Sequence, residues 1–126
     1  MTGKDYFKQV QADIKELDFI DVRLQALERY STGDVAAGNK AVSQRLKEKQ
    51  EAIFNRLSIT RMIISFIGDE TNEEVAQVLD LKYLQGKSYK QISDELGITT
   101  YQVRANLDTA FNSWNNTKWV EATQVA

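Results

Sequence analysis

Apolar residues recur along the first quarter of the chain at Phe7, Val10, Ile14, Leu17, Ile20, Leu24 and Leu27, always three or four positions apart. Steps of that size return to one face of an α-helix, so the pattern predicts a helix from about Lys4 to Tyr30. Ser31 to Asn39 interrupts it with two glycines and reads as a connection. A second stripe, Val42, Leu46, Ile53, Leu57, Ile63, Ile64 and Ile67, predicts another helix from about Lys40 to Ile67, strongly charged in its first half. Two long amphipathic helices joined by a short loop fold back as an antiparallel hairpin. Neither stripe is wide enough for complete burial in a monomer. Two arrangements fit: a hairpin packed on the rest of the chain, or a coiled-coil-like dimerisation element.

The second half is punctuated more finely. Gly68-Asp69 is expected to end the second helix, since glycine tolerates the left-handed C-terminal conformation. Thr71-Asn72-Glu73-Glu74 has capping-box spacing and predicts a third helix running to Leu84 and stopping at Gly86. Ser88 to Gln91 has the same spacing and opens a short fourth helix ending at Gly97. Thr99 to Gln102 repeats it and opens a fifth, running at least to Trp114. The expected fold is all-α: an N-terminal long helical hairpin (1–69), a three-helix helix-turn-helix unit (71–118) and a frayed tail (119–126).

Composition narrows the chemistry. The 126 residues are 42% hydrophobic, enough for a core, and the absence of proline favours uninterrupted helices. Cysteine and histidine are also absent, which rules out disulfides, zinc sites of the usual Cys/His type and imidazole-based catalysis. The carboxylates are scattered over charged helix faces and no phosphate-cradling glycine loop occurs. The expectation is a protein that is not an enzyme and carries no cofactor or metal. The richest apolar run, Met62 to Ile67, is far shorter than the ~20 residues of a membrane span. The first residues lack the apolar run of a secretion signal. A soluble, cytoplasmic chain without a membrane partner is expected.

The stretch from Ser88 to Leu107 carries the functional signal. Ile92 and Leu96 should face inward, Ser93 allows close approach of the next helix, and Gly97 permits a sharp turn. Ile98 fills the corner, and Val103 and Leu107 anchor the following helix. A short helix, a tight glycine turn and a longer helix form the geometry that presents a recognition helix to the major groove. Three packed helices with no role on DNA would satisfy the same spacing.

The run from Val78 to Ile98, with its Leu81-Lys-Tyr-Leu-Gln-Gly-Lys-Ser core and Ile92-Ser-Asp-Glu-Leu-Gly, resembles the fourth conserved region of bacterial sigma factors. It is more similar still to the C-terminal part of small phage and prophage transcription regulators, late-transcription regulators among them. The likeness is close over about forty residues; the looser layout of long helix, loop and charged second helix covers most of the chain. The resemblance implies a DNA-binding transcription regulator of phage or mobile-element origin, with the exposed start of the fifth helix meeting base edges. Thr100, Tyr101, Gln102, Arg104, Ala105 and Asp108 would form that face, Gln102 suiting adenine and Arg104 guanine. Lys87, Ser88, Lys90 and Thr99 would hold phosphates.

Two features depart from the pattern. Asn106 stands where such units carry an inward apolar residue, a duty that Leu107 can assume. From Thr71 onward, Lys82, Lys87, Lys90, Arg104 and Lys118 face seven acidic residues: Glu73, Glu74, Asp80, Asp94, Glu95, Asp108 and Glu121. The whole chain carries a net charge of −2. Phosphate neutralisation dominates DNA affinity, so a single unit with so few cations would bind double-stranded DNA weakly. A homodimer doubles the contacts. The acidic balance also suits a protein-interaction adaptor that docks on RNA polymerase or another phage protein. A small packaging-terminase subunit is a third reading. Near the end, Trp114 continues the Val103, Leu107, Phe111 stripe into the core. Trp119 is expected to pack back on the hairpin or to mark an oligomer contact.

Overall fold

The computed structural model describes residues 2–29 and 35–116. The described chain is all-α: α1 (Gly3–Arg29), α2 (Val35–Glu70), α3 (Glu73–Leu79), a π-helical turn (Asp80–Leu84), α4 (Tyr89–Leu96) and α5 (Thr100–Asn115).

The α1 stripe faces inward as its spacing requires: Phe7, Val10 and Ile20 are buried, and Ile14, Leu17, Leu24 and Leu27 are half-buried. The Thr2 hydroxyl oxygen accepts the Asp5 N–H at 3.2 Å and caps the helix start. Polar contacts fix the α1–α2 register. Tyr6 meets Thr60 at 2.8 Å, Asp13 takes two hydrogen bonds from Arg56 at 3.0 and 3.1 Å, and Glu16 pairs with Lys49 at 3.4 Å. As the α1 number rises the α2 number falls, so the pair is an antiparallel hairpin. Asp13 is buried, and its two-pronged bond to Arg56 offsets much of the cost of taking a carboxylate out of water.

Helix α2 is longer than expected at both ends. It begins at Val35 rather than Lys40, so Gly38 lies inside it; one glycine costs a helix only about 1 kcal/mol. It also runs through Gly68 to Glu70. A Cβ on Gly68 would lie 2.9 Å from the Ala76 Cβ, so this glycine allows α3 to approach α2 and does not terminate the helix. The end is closed by Thr71, whose N–H and hydroxyl both donate to the Ile67 carbonyl, at 2.9 and 2.6 Å. The cap of α3 therefore shifts by one residue: the Asn72 side chain, not that of Thr71, accepts from the Val75 N–H at 3.0 Å.

Two clusters form the interior. At the base, Phe7, Ile63, Ile64 and Ile67 from the hairpin pack with Val75, Val78, Leu79, Leu81, Tyr83, Ile92, Val103, Leu107, Ala110 and Trp114. Tyr6 stacks on Trp114 at 4.6 Å between ring centroids, and Phe7 lies 5.3 Å from Tyr83. Gly3 lies under the same indole, where a Cβ would come within 2.9 Å of its Cγ. The second cluster, Val10, Ile20, Leu46, Ile53 and Leu57, runs up the hairpin. Trp114 is core, as its spacing implies. Trp119, Lys118 and the tail lie outside the described residues.

Candidate nucleic-acid interface

Local sequence builds the α4–α5 unit almost unaided. In α4 the Ser88 hydroxyl oxygen accepts the Gln91 N–H at 3.2 Å, and the Gln91 side-chain oxygen accepts the Ser88 N–H at 2.9 Å. Thr99 and Gln102 repeat the exchange at the start of α5, at 3.1 and 2.9 Å. Both capping boxes stand where the sequence predicts them. Gly97 ends α4 at φ +67°, a left-handed conformation open to glycine at little cost. Ser93 is more than a small residue at the crossing, because its hydroxyl donates to the Ile98 carbonyl and ties α4 to the turn. Ile92, Val103 and Leu107 are buried, and Leu96 and Ile98 pack against the same core.

This packing turns one face of the unit outward. Of the ten residues singled out in the sequence, Ser88, Lys90, Thr99, Thr100, Tyr101, Gln102, Arg104, Ala105 and Asp108 are exposed; Lys87 is half-buried. Tyr101 is the most exposed large hydrophobic side chain of the described residues, at 80% exposure. Asn106 is half-buried and its amide donates to Glu74 at 3.0 Å, while Leu107 takes the core position beside it. The polar residue at this position is thus accommodated by a tie from α5 to α3.

Three side chains stand differently from the sequence expectation. Lys87 forms an ion pair with Glu95, which neutralises its charge locally. The Gln102 oxygen that adenine pairing would use accepts the Thr99 N–H, leaving its NH₂ group to donate. The Arg104 guanidinium lies over the Tyr89 ring, 5.3 Å from its centroid, so it leans from α5 towards the start of α4. Sequence reasoning missed Lys82, whose ammonium lies 5.0 Å from the centroid of the same ring. The spacing predicts a regular helix through Leu84; the π-helical turn adds one residue and rotates the next stretch of chain by about 100°. The turn also buries Tyr83, and burial followed by the neighbouring Tyr89 pushes its phenol up to about 12.

No helix among the described residues is long and apolar enough to cross a membrane. The described residues hold no cluster of three acidic, His or Cys side chains able to bind a metal. No family model, no curated protein and no solved structure matches the chain.

Proposed function

We propose that the chain is a non-enzymatic DNA-binding transcription regulator of phage or mobile-element type, acting as a homodimer with the start of α5 in the major groove. One observation carries this reading: a short helix, a left-handed glycine turn and a longer helix leave Thr100, Tyr101, Gln102, Arg104, Ala105 and Asp108 exposed at one helix start. An α-helix fits the width of the major groove, and the amides at the starts of α4 and α5 suit flanking phosphates. Dimerisation is supported by Phe19, Val22, Phe54 and Met62, all more than half exposed on the hairpin. Exposed apolar side chains contribute to an interface when they gather into one patch. A dimer would also double the few phosphate contacts that each acidic unit can make.

The charge on the same unit favours a second reading, an adaptor that docks on RNA polymerase or another phage protein. Glu73, Glu74, Asp94 and Glu95 are all exposed there. One experiment separates the two. Purified protein is mixed with fragmented genomic DNA at near-physiological salt, and the retained fragments are sequenced. Enrichment of one or a few sites with two-fold symmetry supports the dimeric regulator. Folded protein that retains no fragment preferentially contradicts it and favours the adaptor.

A further inference from the structure

Three consecutive elements converge on the Tyr89 ring. Lys82 comes from the π-helical turn, Tyr89 is the first residue of α4, and Arg104 stands one turn into α5. Both cations lie over the ring, at 5.0 and 5.3 Å from its centroid. Such contacts are worth about 0.5–1 kcal/mol at exposed sites, enough to bias a long side chain towards one orientation. Like charges held against a common ring repel each other, and among the described residues neither Lys82 nor Arg104 has a carboxylate ion-pair partner. The nearby Lys87 differs, because Glu95 already neutralises it.

The backbone adds donors at the same place. The first N–H groups of a helix have no partner inside it. The α4 capping box satisfies those of Ser88 and Gln91, which leaves the Tyr89 and Lys90 amides without a partner among the described residues. Two unneutralised cations, an aromatic spacer and two open amides suit an anion with several oxygens. Because the cluster adjoins the exposed start of α5, the nearest such anion in the proposed complex is a backbone phosphate.

We propose that Lys82, Tyr89 and Arg104 form a clamp for one phosphodiester group of the DNA backbone, with Tyr89 as the positioning residue. The inference rests on the DNA-binding reading and deepens it. It assigns Arg104 to the backbone rather than to a guanine edge, so sequence discrimination falls to Tyr101 and its exposed neighbours. Lys82 becomes a contact residue and Lys87 does not.

The test measures affinity for a retained duplex and for a random-sequence duplex of equal length, across a salt series. The proteins are the full chain and its Lys82→Ala, Lys82→Arg, Arg104→Ala, Tyr89→Phe and Tyr89→Leu variants, each checked by circular dichroism and melting. Lys82→Ala and Arg104→Ala should each weaken both duplexes by the same factor and reduce the slope of log K against log salt, reaching a reduction of about 0.9 when both are replaced, because the two cations share one phosphate. Lys82→Arg and Tyr89→Phe should keep the wild-type slope, while Tyr89→Leu should lower it although no charge is removed. Addition of inorganic phosphate to millimolar concentration at constant ionic strength should not displace the duplex; displacement would mark a site for free phosphate and overturn the assignment. An unchanged slope in a folded Lys82→Ala variant that still binds DNA would overturn the clamp and leave the DNA-binding reading intact. A loss in Arg104→Ala confined to the retained duplex would return Arg104 to base reading and overturn the clamp. Wild-type protein that binds neither duplex at low salt would overturn the DNA-binding reading and the clamp with it.

Discussion

At the base of the hairpin, Phe7, Ile63, Ile64 and Ile67 are covered by α3, the π-helical turn and α5, and an aromatic group including Tyr83 and Trp114 completes the layer. Farther along the same two helices, Leu17, Leu24, Leu27 and Val42 pack against the hairpin cluster and, among the described residues, remain half-buried. Phe19, Val22 and Phe54 are exposed there. The apolar spacing is similar in both regions, so the difference lies in the number of packed layers. Burial of a helical stripe needs a covering surface, and two helices alone supply less of it than four elements do. The base has what a stable core requires; the far end is, among the described residues, a half-layer.

The largest expected effect lies at the base. Trp114→Ala should cost about 3–5 kcal/mol in urea unfolding, because a fully buried indole leaves a cavity that packed neighbours cannot fill. Leu24→Ala, in the half-buried far region, should cost less than about 2 kcal/mol by the same measurement. Equal losses at the two sites would remove the contrast between the regions.

Within the span of the second cluster, Arg56→Ala leaves the buried Asp13 carboxylate with only the Gln9 amide, at 3.4 Å, among the described residues. The loss should be about 1–3 kcal/mol, and replacement of both residues by apolar ones should recover part of it. A double variant no more stable than Arg56→Ala alone would show that the polar register contacts stabilise the hairpin beyond their own desolvation.

Gly68→Ala sharpens the comparison from the other side. Alanine is the better helix former by about 1 kcal/mol, yet its Cβ would meet Ala76 at 2.9 Å. Overpacking should prevail and leave a net loss of about 1 kcal/mol, reversed by adding Ala76→Gly. A stabilised single variant would mean that α3 can move away from α2 freely. Caps come next: Ser88→Ala and Thr99→Ala should each cost about 1 kcal/mol in thermal melts, unlike substitutions at exposed Thr100.

The base should also respond to alkali. Burial holds the Tyr83 phenol neutral up to about 12, whereas in the unfolded chain it ionises near 10. Its stabilising contribution is full below pH 10 and is lost as pH rises from 10 towards 12, because the unfolded state gives up its proton first. Melting temperature should fall over that range, and Tyr83→Phe should flatten the decline. Tyr6, also raised by burial, contributes in the same direction.

Features that depend on neighbours in sequence are legible in the chain. The five helices, the capping boxes at Ser88 and Thr99, the left-handed turns at Gly86 and Gly97 and the core place of Trp114 come from local spacing and backbone preference. Features that depend on distant partners are not. Gly68 looks like a helix stop until Ala76 is seen against it, and Gly38 is too weak a breaker to delay α2. The π-helical turn has no local signature in Asp80 to Leu84. The Lys87–Glu95 pair and the gathering of Lys82 and Arg104 on Tyr89 arise only once three elements meet. The outline of the candidate face is therefore readable in the sequence, whereas the state of its charges is not.

The most direct test of a DNA-binding role is a titration of isotopically labelled protein with a duplex retained in selection, monitored by amide chemical shifts at near-physiological salt. Changes should concentrate at the starts of α4 and α5, with Tyr89, Lys90, Thr100 and Tyr101 largest, and with Lys82 among them. Changes centred on α1 and α2 instead, or no change at saturating duplex in the folded protein, would contradict a DNA-binding role for the α4–α5 face.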